Sequence, residues 1–312
     1  MKKTLIWAAC AAALVAASPA LAQTGKTAAA ASGFKAPRNA FGQPDFDGTW
    51  SNATLTQTAR PALYGDRAVH TDQEVKLLEQ GAVEYSTAGN ANSTAGATGS
   101  SDNVGAYDRG WVDGGTHVMR VGGQARTSLL TTPDGQPPVR KGEKPRAKLP
   151  NAGSVEAGLQ AVKQANSSDK IAAQGDVSIG RIRNGAFDNP EARSLGERCL
   201  VSFGRNGGPP MFPNGWYNNN YQIVQSKDAV AIDIEMVHDT RVVPLNTRHR
   251  TDGVRPWFGD SIGWYEGDTL VVETINLPER QNYQGSWKDL KVTERFKRVA
   301  KDRVLYQITV ED

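Results

Sequence analysis

Cysteine and histidine are both scarce in this 312-residue chain, with two of the first and four of the second. Cys10 lies in a leader-like N-terminus, so a processed chain keeps Cys199 alone. That excludes an intrachain disulfide and a cysteine-based metal centre, and Cys199 reads as a small buried hydrophobe. His70, His117, His238 and His249 fall in unrelated segments, which leaves little material for a metal site; none is expected. The chain also lacks a glycine-rich phosphate loop, a dinucleotide fingerprint and zinc spacing, so no cofactor is expected. Charge of one sign is missing as well. The whole chain carries a net +3, but cleavage after Ala22 removes two lysines and no acid, leaving 34 basic against 33 acidic side chains. A near-neutral chain with no basic stripe has no electrostatic case for nucleic acid. Beyond the leader there is no apolar run long enough to span a membrane.

The leader itself is plain. Lys2 and Lys3 precede an apolar run over residues 5–17, and Ala20-Leu21-Ala22 is a small-x-small cleavage site. This pattern is a secretory signal peptide over residues 1–22, which predicts a periplasmic or secreted protein. Residues 23–40 are Ala, Lys, Gly and Thr without periodicity and read as a flexible leader. A single β-rich domain is expected over 41–312.

Alternation carries the rest. In Tyr221 to His238, Val230, Ile232, Ile234 and Met236 alternate with Ala229, Ala231, Asp233 and Glu235, after a turn at Ser226-Lys227-Asp228. That is the period of a strand with one apolar and one solvated face. If the strand runs on two residues, His238 joins the apolar face. A strand over 240–245 and an Arg-rich loop over 246–256 follow. Further hairpins are expected on Glu266-Gly267-Asp268 and Ala300-Lys301-Asp302, which argues for an antiparallel up-and-down meander, closed as a barrel or left as a curled sheet. Gly48-x-Trp50 resembles the first strand of lipocalin-like barrels. The N-terminal half predicts a few short helices: one over 72–85 behind the capping-box spacing of Thr71 and Glu74, one over 155–165, and a start at Asn189-Pro190. Residues 86–107, nearly all Gly, Ala, Ser, Thr, Asn and Asp, predict a flexible insertion. Strand character resumes over 111–130, best in 125–130.

Parity also selects the candidate chemistry. Val292, Glu294 and Phe296 share a strand face, as do Val304, Tyr306, Ile308 and Val310 on the next strand. Glu294 therefore sits among apolar neighbours, as His238 does, and a buried carboxylate needs a partner. Two readings stand. Glu294 and His238 serve as general acid and base, with Arg241 or Arg255 orienting an anionic group, or Glu294 forms a structural ion pair with Arg241 or Arg255. Glu235 and His238, three apart on a strand, face opposite ways and do not share a metal. Gly259-Asp260-Ser261 lacks the downstream histidine of a serine esterase and reads as a turn. Trp216, Tyr217, Tyr221, Trp257, Trp264 and Tyr265 cluster at strand ends, where they line a pocket for a flat apolar ligand or plug the barrel.

These residues carry a resemblance. Trp257-x-Gly259-Asp260-Ser261-x-Gly263, then Glu266-Gly267-Asp268-Thr269-Leu270-Val271-Val272-Glu273-Thr274, with Glu235-Met236-x-His238-Asp239-x-Arg241 before and Glu294-Arg295-Phe296 after, looks like an uncharacterised family of exported bacterial proteins. The resemblance implies a lipocalin-like (calycin-type) meander and brings no catalytic residues with it. The expected function is an exported protein binding a small apolar or aromatic molecule, with Trp216, Tyr217, Tyr221, Trp257, Trp264 and Arg255 as ligand contacts. The alternatives are a cofactor-independent lyase, isomerase or hydrolase using His238, Glu294 and Arg241, and a structural envelope protein. Nothing in the sequence points to a particular protein partner.

Overall fold

The computed structural model describes residues 34–95, 113–139, 189–193, 195–201, 208–213, 217–237, 239–283 and 285–312, with side chains to residue 87 in the first stretch. The chain is mainly β. Strand β1 (Gly48–Ser51) is followed by α1 (Asp72–Ala95) and a small hairpin of β2 (Arg120–Val121) and β3 (Gln124–Ala125). Then come β4 (Asn220–Gln225), β5 (Ala229–Ile234) and β6 (Thr240–Pro244), antiparallel in sequence order, with β1 added on the free side of β4. A second antiparallel sheet has the order β10-β9-β8-β7, from β7 (Asp260–Glu266), β8 (Thr269–Ile275), β9 (Lys291–Ala300) and β10 (Arg303–Glu311).

Alternation sets what each strand buries. Tyr221, Ile223, Val230, Ile232, Ile234 and Val243 from the first sheet meet Leu270, Val272 and Phe296 from the second, with Phe46, Met211 and Leu245 completing one core. Each such side chain contributes roughly 1.5–3 kcal/mol by leaving water. Among the described residues, the two sheets join at a parallel bridge between Leu245 and Gly263. Gly263 is needed there, because a Cβ would lie 2.9 Å from Val243 Cγ1 and 3.3 Å from the Val271 carbonyl.

The strands form two separate four-stranded sheets and not a closed barrel. Among the described residues, β1 and β10 make no backbone pairing with each other. Side chains link that side of the molecule instead: Arg298 of β9 donates to the Asp45 carbonyl at 2.9 Å and lies 5.4 Å over the Trp50 ring.

Several sequence expectations need correction. In place of a few short helices there is one α-helix of 24 residues among the described residues, with brief 3₁₀ turns. Its capping box forms as expected: the Thr71 amide donates to Glu74 Oε2 at 2.7 Å, and the Glu74 amide to Thr71 Oγ1 at 3.3 Å. The helix runs past Tyr85 to Ala95, into the stretch expected to be a flexible insertion, although its Ser, Thr, Asn and Gly residues are poor helix formers. Asn189-Pro190 starts only a 3₁₀ turn, Pro190–Ala192. The stretch 125–130 is extended but largely outside a ladder, bonding to the irregular segment at Gln57 and Thr58. Cys199 is exposed, at a positive φ of 52°, and not buried. The expected helix over 155–165 lies outside the described residues. No helix among those described is long and apolar enough to cross a membrane.

Candidate functional site

Between the two sheets, one inward position on β6 and one on β9 carry charge. Arg241 is 3% exposed and Glu294 fully buried, and they form a fork-to-fork pair. Arg241 Nη2 donates to Glu294 Oε1 at 2.9 Å and Nη1 donates to Oε2. Tyr306 of β10 donates its hydroxyl to Glu294 Oε1 at 2.7 Å and accepts the Met211 amide at 3.0 Å. Asn52 Nδ2, just past β1, donates to the Tyr221 hydroxyl at 3.2 Å and to the Met211 carbonyl at 3.4 Å. Four strands and the segment 208–213 thus meet around one buried polar cluster.

The electrostatics fix the protonation of this cluster. Burial works against the charge on Arg241, but Glu294 outweighs it and the guanidinium pKa is raised. Burial, and then the charge of Glu294, lift the Tyr306 hydroxyl well above its ordinary range. Burial raises Tyr221 as well. Both tyrosines stay neutral and can donate. The glutamate accepts three hydrogen bonds and has no face to solvent, so both its oxygens are committed within the core. One donor is left over. Arg241 Nε is buried and has no hydrogen-bond acceptor, and such a group costs about 1–3 kcal/mol unless something accepts from it.

The structure brings together only part of the predicted set. Arg241, Glu294 and Tyr221 share the core. Arg255 does not join them: it donates to the carbonyls of Leu277 (2.9 Å) and Lys288 (3.2 Å) and stacks 5.0 Å over Trp287. Trp257 is exposed on the same loop. Trp264 sits on the outer face of β7 and donates to Glu266 Oε1 at 3.0 Å. Tyr217 is half-buried ahead of β4. These aromatics do not line one cavity, because Trp264 and Tyr221 point to opposite faces and Trp257 lies off the sheet. Trp216 and His238 lie outside the described residues. The argument that placed His238 on the apolar face no longer holds, since β5 stops at Ile234 and Val237 turns the chain at φ 64°. Ser261 is buried, 2.7 Å from the Thr274 hydroxyl, and is no surface nucleophile.

A second charged cluster was missed by sequence reasoning. On the outer face of the second sheet, His249 Nδ1 lies 2.9 Å from Asp260 Oδ2, and Nε2 lies 3.2 Å from Glu273 Oε1. Asp260 Oδ2 also accepts the Arg250 amide at 2.8 Å. Ionised carboxylates only accept, so both ring contacts are hydrogen bonds only when the ring carries two protons. The parity of Asp260 and Glu273 on neighbouring strands was a readable signal, whereas the reach of His249 from a loop was not. Tyr306 was readable as an inward residue, and its hydroxyl was the overlooked clue.

Among the described residues no group of three or more His, Cys, Asp or Glu side chains is arranged to hold a metal ion. A shallow groove of about 350 Å³ bounded by Glu79, Val83, Glu84 and His117 lies against α1, away from the core. Compared with known protein families, curated proteins and solved structures, the chain shows no match to any of the three.

Proposed function

We propose that this is an exported binding protein for a small, largely apolar or aromatic molecule that carries an acceptor oxygen. The observation that carries this reading is Arg241 Nε, a buried donor without an acceptor, in a polar cluster where the buried Asn52 Oδ1 is likewise unmatched. An oxygen of the ligand completes it, while the body of the ligand takes the place of the Met211 side chain among Tyr221, Tyr306 and Asn52. Methionine suits such a position, being unbranched and tolerant of repacking. The segment 208–213 withdraws to admit the ligand. The leader-like first 22 residues and the resemblance to exported lipocalin-like proteins support the same reading. Catalysis by Glu294 gains no support, because both its oxygens are engaged and it faces no solvent.

Native mass spectrometry of the exported protein, with solvent extraction of bound molecules, tests this. A co-purifying small molecule is expected, and Met211→Trp, which fills the same space, should exclude it. Recovery of an empty protein, together with no melting shift from a panel of aromatic and aliphatic carbonyl compounds, would overturn the reading.

A further inference from the structure

The two four-stranded sheets end in four edge strands, and three of these edges are short or partly occupied. β6 and β7 meet at the bridge between Leu245 and Gly263, and β1 offers only four residues. The fourth edge is β10. It runs nine residues and pairs along its whole length with β9. On its other side none of its backbone groups has a partner among the described residues. Val304 to Val310, VLYQITV, holds no charge, proline or glycine, and the one register shift falls at its start, between Arg303 and Val304. A long free edge of that composition lacks the devices that keep a strand from pairing with another chain. Its inward face is also incompletely covered. Val304 packs on the main core and Val310 on the cluster of Leu277, Leu290 and Val292, yet both stay half-buried, as does Ile308.

The order of residues selects what fits this edge. Set antiparallel to itself about Gln307, the strand places Arg303 opposite Glu311, Val304 opposite Val310, Leu305 opposite Thr309 and Tyr306 opposite Ile308. In this register the end charges meet opposite charges, and inward residues stand beside inward residues. A parallel in-register pairing sets Arg303 against Arg303 and Glu311 against Glu311, which disfavours it. Within one chain Glu311 pairs with Lys291 at 2.9 Å, and Arg303 is 71% exposed, 3.8 Å from Asp302. The end charges therefore choose the register, while the uncharged centre supplies the contact. We propose that β10 pairs antiparallel with β10 of a second copy of this chain, about a two-fold axis at Gln307, and joins two four-stranded sheets into one of eight strands. Pairing consumes this edge in both copies, so assembly closes at two. The proposal holds whether or not the core takes a ligand.

The test is sedimentation equilibrium of the whole purified protein from about 1 to about 200 µM. The mass is expected to rise from one chain to two and to level there. Leu305→Glu with Thr309→Glu sets like charges opposite each other across the axis, while their own neighbours on β9, Lys297 and Thr293, accommodate acids. It should weaken dimerisation at least about tenfold at unchanged melting temperature. Leu305→Glu with Thr309→Lys carries as many charges but sets opposite ones across the axis, and should dimerise at least as tightly as the natural chain. A parallel pairing would be weakened by both. Val224→Ser with Val242→Ser, on the exposed outer face of the first sheet, should leave the dimer unchanged. The proposal fails if the protein stays a single chain at about 200 µM, whether the edge is bare or covered by another segment of the same chain. It fails equally if the mass climbs beyond two chains, if the two Leu305 variants behave alike, or if the Val224 and Val242 variant is the one that loses the dimer.

Discussion

The second sheet carries charged clusters on both faces, and the faces treat them differently. Inward, Arg241, Glu294 and Tyr306 are sealed between strands, with each carboxylate oxygen engaged. Outward, Asp260, His249 and Glu273 make contacts of similar length but keep water on one side. Distance alone does not separate the two clusters; desolvation does. Two charges taken out of water hold each other because neither has another charge to pair with, so removing one strands the other. Charges at the surface recover most of the loss from solvent.

The largest effect expected from this contrast is at Glu294. Glu294→Gln leaves a buried guanidinium without its counter-ion and should destabilise by about 3–5 kcal/mol in urea unfolding. Replacing both partners by apolar residues of similar volume, Arg241→Met with Glu294→Leu, should recover most of that loss. A double variant as unstable as the single one would mean that the pair itself, and not the stranded charge, supplies the stability.

Next comes Tyr306→Phe, which removes a bond to the carboxylate and leaves the Met211 amide unmatched; a loss of about 1.5–3 kcal/mol is expected by the same measurement. Glu74 is an intermediate case, buried while its partner Arg67 is 42% exposed, with bonds of 2.5 and 2.6 Å. The bonds from Arg67 hold its carboxyl well below the usual carboxylate range, at about 2. A depressed pKa contributes stability that is full above the ordinary carboxylate value and lost as pH falls through the folded one. An acid titration should therefore weaken the region around α1 as pH falls from about 4.5 toward about 2. Glu74→Gln should flatten that dependence. A wild-type profile already flat across the window would remove Glu74 as its source. The smallest effect is expected outside the sheet, where His249→Gln should cost less than about 1 kcal/mol at neutral pH. A larger loss would place the outer cluster with the buried one and undo the contrast.

Much of this was legible in the sequence. β4 to β10 follow from period-two alternation broken by Ser226-Lys227-Asp228, Glu266-Gly267-Asp268 and Ala300-Lys301-Asp302, because a half-buried strand writes its faces into the residue order. The inward position of Glu294 was legible for the same reason. Its partner stood open between Arg241 on strand β6 and Arg255 in the following loop, although the alternation of Arg241 with Val243 already put Arg241 on the inward face. The end of β5 was hidden: Val237 adopts a left-handed φ that valine disfavours, so extrapolating the alternation to His238 overran the strand. His249 meets Asp260 and Glu273 only through the path of the chain between two sheets, which no local pattern encodes.

The pairing of β1 with β4 bears on how the chain is made. Gly48 lies opposite Ile223, 175 residues further on, whereas β4 to β6 and β7 to β10 each pair with their sequence neighbours. Local hairpins close quickly and distant pairings late. During synthesis, β1 emerges first and is paired last, so Trp50 stays unsheltered until β4 exists. For that interval the safety of the chain rests on whatever shields a lone strand, and assembly of this half is timed by the arrival of its other end.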